Sequence, residues 1–91
     1  MQNPPTLNGD HGWDSWDWTA LSTSCLREAR RVLGSEQDAE EAAQDALLRA
    51  WRGRARQREA GAEIWWVRRI ARNEALRKLA QRARAQDLYT E

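Results

Sequence analysis

Apolar positions recur at helical spacing only from Trp18 onward. Leu21, Cys25, Ala29, Val32 and Leu33 fall on one stripe, and Gly34 follows as a stop, which predicts a first helix over about 19–33. Ser35 then precedes Glu36, Gln37 and Asp38, an N-cap serine with carboxylates in the first turn, where the helix dipole favours them. Ala39, Ala42, Ala43, Ala46, Leu47, Ala50 and Trp51 continue at three- and four-residue steps until Gly53, so the second helix is predicted over 36–52. Its alanines would let a neighbouring helix come close. A third helix is predicted over about 62–85, with Trp66, Val67, Ile70, Leu76, Leu79 and Ala83 as its buried stripe and Asn73 interrupting it. No alternating run and no internal repeat occurs. The expected fold is all-α, a compact bundle of three main helices.

The segments between and before these helices differ in character. Residues 1–12 are rich in Pro, Asn and Gly, the profile of a mobile leader; the expected division is a flexible leader over 1–17 and a helical domain over 18–91. Trp13, Trp16 and Trp18 crowd six positions at its end. One of them could staple the start of the first helix while the others lie on the surface, or the strip could dock an inhibitor or a polymerase. Residues 53–61 are bounded by two glycines, contain three arginines and have no apolar residue larger than Ala. They read as a basic connecting loop.

Composition narrows the class. The chain has 91 residues, 41% hydrophobic and 32% charged, too apolar for a disordered chain and too charged for a membrane one. No run approaches the roughly 18 apolar residues of a membrane span, so the expected compartment is the cytoplasm. Cys25 has no second cysteine to pair with, and the one histidine, His11, is distant in sequence, so no tetrahedral metal set is expected. Cys25 reads as a small core residue. The paired acids Glu40 and Glu41 sit on an exposed helical face and no Gly-rich phosphate loop occurs, which excludes the familiar catalytic arrangements. Neither an enzyme nor a cofactor is implied.

The net charge of +1 conceals a strong asymmetry. Residues 35–51 hold Glu36, Asp38, Glu40, Glu41 and Asp45 against Arg49, whereas 52–91 hold eleven Arg/Lys against five acids. An acidic middle and a basic end suggest two partners of opposite sign, a basic protein surface and a polyanion. Fourteen of the fifteen cations are Arg, which favours bidentate and stacking contacts with phosphates and bases.

Two surfaces follow from the helical spacing. On the second helix Gln37, Glu40, Glu41, Gln44, Asp45, Leu48 and Arg49 lie together opposite the alanines. This is either a solvated face or, because Leu48 is stranded among acids and amides, a protein contact. The loop and third helix combine Arg54, Arg56, Arg58, Trp65, Trp66, Arg68, Arg69, Arg72, Asn73, Arg77 and Lys78. Cations draw in phosphates and aromatic faces stack on unpaired bases, a pairing suited to single-stranded nucleic acid. The alternative is that the tryptophans are core and the arginines solubilise the helix. Adjacent helical residues point about 100° apart, so Trp65 and Trp66 cannot both face the core centre. Trp66 is in register with Ile70 and is the core candidate; Trp65 is the candidate for stacking or the rim.

These residues carry a resemblance. The run from Asp38 to Trp51, with its Asp-Ala-Glu-Glu opening and Leu-Leu-Arg-Ala-Trp close, resembles the second conserved-region helix of ECF sigma factors, and Trp66 to Asn73 resembles the same family's Trp-Leu-x-Arg-Ile-Ala-Arg-Asn segment. Ala29 to Gly34 fits the family's first helix, and together the three cover about 18–85 in order. The resemblance implies a transcription initiation domain that docks on the clamp helices of the largest polymerase subunit and captures the melted minus-ten promoter element. By position, Glu41, Gln44 and Asp45 would face the clamp, joined by the stranded Leu48. The basic loop, with Arg56 and Arg58, would hold a flipped non-template base. Trp65, Arg68, Arg69, Arg72, Asn73, Arg77 and Lys78 would contact the element. Control by an anti-sigma protein is compatible with it. Two departures are visible: Leu47 replaces a large aromatic, and the loop lacks the family's frequent Phe. Members usually continue into a second helical domain that reads the minus-thirty-five element, so a chain ending at Glu91 is either an excised piece or a stand-alone relative. A duplex-binding helix-turn-helix-like domain and a pure protein-interaction bundle are the rival readings; the first should favour duplex over melted DNA and the second should ignore nucleic acid.

Overall fold

The computed structural model describes residues 16–57, 59 and 61–89, and places three α-helices there: α1, Trp18–Val32; α2, Glu36–Arg52; and α3, Glu63–Tyr89. The all-α bundle expected from the spacing is the fold observed. Each boundary has a local cause. The Asp17 carboxylate accepts from the Ala20 N–H at 3.0 Å and caps α1. Leu33, extended at ψ 137°, ends it. The Ser35 hydroxyl accepts from the Asp38 N–H at 3.3 Å and starts α2 after the three-residue link of Leu33, Gly34 and Ser35. Gly53 closes α2 by donating its N–H to the Arg49 carbonyl at 2.9 Å. A short 3-10 turn, Arg54–Arg56, follows. Gly61 then takes φ 83°, a left-handed conformation that side chains disfavour, just before α3.

α2 runs antiparallel to both neighbours: its first turns meet the far part of α3 through Asp38–Arg82 and Glu41–Lys78, while its last turn lies beside Trp66. The core is built largely of alanine, with Ala29, Ala39, Ala42, Ala46, Ala50, Ala71 and Ala75 all inaccessible to solvent around Leu21, Cys25, Leu33 and Val67. Small side chains bring the helix axes close enough for dense packing. Burial pushes the Cys25 thiol up to about 11, so it stays protonated and packs as an apolar group. One end of the bundle is sealed by indoles. Trp66 meets Trp16 edge-on at 6.0 Å, Trp16 lies 5.4 Å from Trp18, and Trp18 meets Trp51 edge-on at 5.3 Å.

One expectation needs correction. The far part of the α3 stripe is not buried: Leu76 and Leu79 are 42% and 45% exposed, and Ala83 is exposed too. The inward line runs instead through Val67, Ala71, Glu74 and Ala75, with Lys78 half-buried behind them. Close helix packing selects alanine over leucine there, and the ion pairs across the seam carry charged residues inward. Asp17 caps α1 and Trp16 packs on Trp66, so both contribute to the helical unit. Trp13 and the rest of 1–15 lie outside the described residues.

Candidate functional site

The outward face of α2 presents Glu41, Gln44, Asp45 and Leu48, all exposed as the spacing required, because the alanines at 39, 42, 43, 46 and 50 claim the opposite side. Beside them lies a recess of about 420 Å³ lined by Trp18, Gln44, Asp45, Leu47, Leu48 and Trp51. Leu48 and Trp51 are nearly half exposed in it. The Arg54 guanidinium stacks 3.6 Å from the Trp51 ring centroid and donates to the Trp51 carbonyl, fixing the far wall. Asp45 forms no ion pair among the described residues, whereas Glu41 accepts from the Lys78 ammonium at 2.9 Å. An apolar recess rimmed by an amide and an uncommitted carboxylate suits a partner helix with basic and aliphatic side chains.

The outward face of α3 is of another kind. Trp65, Arg69, Arg72 and Asn73 are exposed on it, Trp65 at 68%. The Trp65 ring stands between two hollows. One, of about 260 Å³, is bounded by Glu28, Arg68, Arg69 and Arg72; the other, of about 210 Å³, by Gln57, Glu59, Ala62, Trp66 and Arg69. Arg68 places its guanidinium 5.1 Å from the Trp65 ring centroid and donates to the buried Glu28 carboxylate at 3.4 Å. Arg69 and Arg72 make no ion pair among the described residues, so their charge faces outward. Trp66, the neighbour about 100° away, is half-buried and packs on the core.

Two of the residues expected to meet nucleic acid are engaged elsewhere. Lys78 sits on the seam between α2 and α3 and meets Glu41, and Arg77 lies 3.9 Å from the buried Glu74. Arg56 is exposed on the 3-10 turn, and Arg58 lies outside the described residues. The buried carboxylates Glu28, Asp38 and Glu74 had no mark in the spacing, because each has a partner on another helix, Arg68, Arg82 and Arg49 respectively. Arg82 grips Asp38 with two hydrogen bonds, at 3.0 Å from Nε and 2.5 Å from Nη2. This holds the Asp38 carboxyl below its ordinary range and raises the guanidinium. Trp51 could have been flagged, being too bulky to share a close-packed stripe with alanines.

The family described as Sigma-70 region 2 matches residues 19–85, which contain all three helices' packed portions and both outward faces. The chain belongs to the sigma-70 region 2 family. It is therefore a transcription initiation domain, of the kind that binds core RNA polymerase and recognises the minus-ten promoter element. No curated protein matches the chain, and no solved structure does. The sigma-70 match covers every residue of the α2 recess except Trp18, and the indole on α3. Among the described residues no helix is long and apolar enough to cross a membrane.

Proposed function

We propose that the chain is the promoter-opening domain of an ECF-like sigma factor, with the α2 face docked on the polymerase clamp helices and the α3 face, with the basic turn, holding the unpaired non-template strand. The observation that carries this reading is the separation of two uncommitted sets of groups: Gln44, Asp45 and Leu48 around an apolar recess, and Arg69 and Arg72 around an exposed indole. The first set offers a desolvatable surface with acceptors at its rim. The second offers a ring face with cations on both sides, and each base stacked on such a ring contributes roughly 1–3 kcal/mol. Bases captured this way offset the cost of unpairing them, so strand opening needs no nucleotide hydrolysis. Arg68, held by Glu28, steadies the indole. Arg56 on the 3-10 turn and Arg77 farther along α3 add positive charge to the same reading, and Asn73 adds a neutral amide, whereas Lys78 is held on the seam by Glu41. An anti-sigma protein would act by covering the Trp18–Leu48–Trp51 recess and so competing with the clamp.

The test is affinity for the isolated clamp fragment of the polymerase, measured with wild type and with Gln44→Ala plus Asp45→Arg. Contacts of this kind at the centre of an interface are worth about 2 kcal/mol or more, so a loss of roughly thirtyfold is expected. Unchanged affinity would remove α2 from the reading. Independently, binding of single-stranded minus-ten DNA should weaken as salt rises; a salt-independent interaction would count against the α3 face.

A further inference from the structure

A fourth cavity lies where the two faces meet, sharing Asp45 and Leu48 with the α2 face and Arg56 and Arg77 with the basic surface. It is a cleft of about 440 Å³ between the last turns of α2 and the middle of α3, with Arg49, Arg52, Arg56 and Arg77 around it and Asp45 and Glu74 as its acids. Four guanidiniums against two carboxylates leave an excess of two positive charges. The arrangement within the cleft is uneven. Glu74, with its side chain only 9% exposed, is bonded by the Arg49 guanidinium from α2 and lies 3.9 Å from Arg77 on its own helix. A carboxylate buried this deeply persists because it is paired, and here it sets two guanidiniums at fixed positions on opposite walls. Arg52 and Arg56 complete the ring without an ion pair among the described residues.

We propose that this cleft is a phosphate-binding site, built to take a phosphate group from a polyphosphate chain or from a nucleic-acid backbone. Each guanidinium carries five donors in a planar fork, and Glu74 engages only part of the set on Arg49 and Arg77. The cations that line the cleft come from two helices and the turn. A carboxylate has two oxygens and is satisfied by one or two such forks; a tetrahedral phosphate has more oxygens, pointing in several directions, and uses donors from every side. Size argues the same way. At about 30 Å³ per water, the cleft holds roughly fifteen waters' worth of space, enough for linked phosphates with their residual hydration. The polyphosphate reading stands apart from the proposed function, whereas the backbone-phosphate reading rests on it, because Arg56 and Arg77 also belong to the proposed strand-holding surface.

It is tested without polymerase or promoter DNA. The full 91-residue chain is titrated with inorganic triphosphate at constant ionic strength while its backbone amide resonances are followed. Saturable shifts are expected at Arg49, Arg52, Gly53 and Arg77, with acetate at least tenfold weaker. Arg52→Ala plus Arg56→Ala should weaken triphosphate binding at least tenfold, whereas Arg27→Ala on α1 should leave it unchanged. A short oligonucleotide of random sequence then separates the sources: displacement of triphosphate assigns the site to backbone phosphates, and its absence to a free polyphosphate. Shifts spread evenly over Arg30, Arg31 and Arg84, equal affinity for acetate, or an Arg52/Arg56 double variant that binds as wild type would overturn the proposal.

Discussion

The outward faces of α2 and α3 rest on one alanine-rich scaffold and differ in which groups the fold leaves uncommitted. On α2 the Glu41 carboxylate is taken up by Lys78, while Asp45 and Gln44 stay open beside an apolar recess. On α3 the Arg68 guanidinium is taken up by Glu28, while Arg69 and Arg72 stay open beside the most exposed of the described indoles. In both cases a paired charge fixes the edge of the surface and an unpaired one faces outward. The contrast lies in what surrounds the open charge. Aliphatic walls favour a protein helix that can be desolvated; a free-standing ring between two hollows favours flat bases.

The contrast can be broken from either side. Reversing Arg69 and Arg72 together, Arg69→Glu with Arg72→Glu, should lower affinity for single-stranded DNA on the order of tenfold to a hundredfold and reduce the salt slope by about two, while clamp binding holds. A matching fall in clamp affinity would mean that the two faces are not separate. Next in size is a change to the shared scaffold. Ala46 is wholly buried beneath Asp45, and Ala46→Leu should cost about 1–3 kcal/mol by overpacking, read as a lowered melting temperature with both binding activities reduced in parallel. An unchanged melting temperature would show that the close approach of α2 to its neighbours is not what the alanines provide.

The smallest effect concerns how the far part of α3 is held to α2. Arg82 keeps the Asp38 carboxyl below its ordinary value, so this pair's contribution is present at neutral pH and is lost as pH falls through the lowered folded value. The guanidinium is well exposed, which screens the pair and keeps the effect modest. The melting-temperature gap between wild type and Arg82→Gln should therefore narrow between about pH 7 and about pH 2. A gap that stays constant over that range would assign the loss to packing of the Arg82 stem instead.

What could be read beforehand followed the reach of each signal. α2 was legible at both ends because Ser35 and Gly53 are local punctuation, and its outward face followed from the alanines on the other side. Trp65 and Trp66 separated correctly, since a helix cannot turn both inward. The far part of α3 was misread because leucine is the larger apolar group, whereas helix packing this close takes Ala71 and Ala75 and leaves Leu76 and Leu79 in solvent. The polar supports were invisible for another reason. Glu28 and Arg68 stand 40 positions apart, and Asp38 and Arg82 stand 44 apart, so no periodicity within one helix could join them. The Trp18–Trp51 contact that walls the α2 recess also joins two helices.

The most direct measurement is the relative affinity of polymerase loaded with this chain for minus-ten DNA presented as a bubble and as a closed duplex of the same sequence. An indole flanked by arginines and two hollows should favour the bubble by at least tenfold, and Trp65→Ala should erase most of that preference. Equal affinity for the two forms, or a preference for duplex that survives Trp65→Ala, would contradict the account.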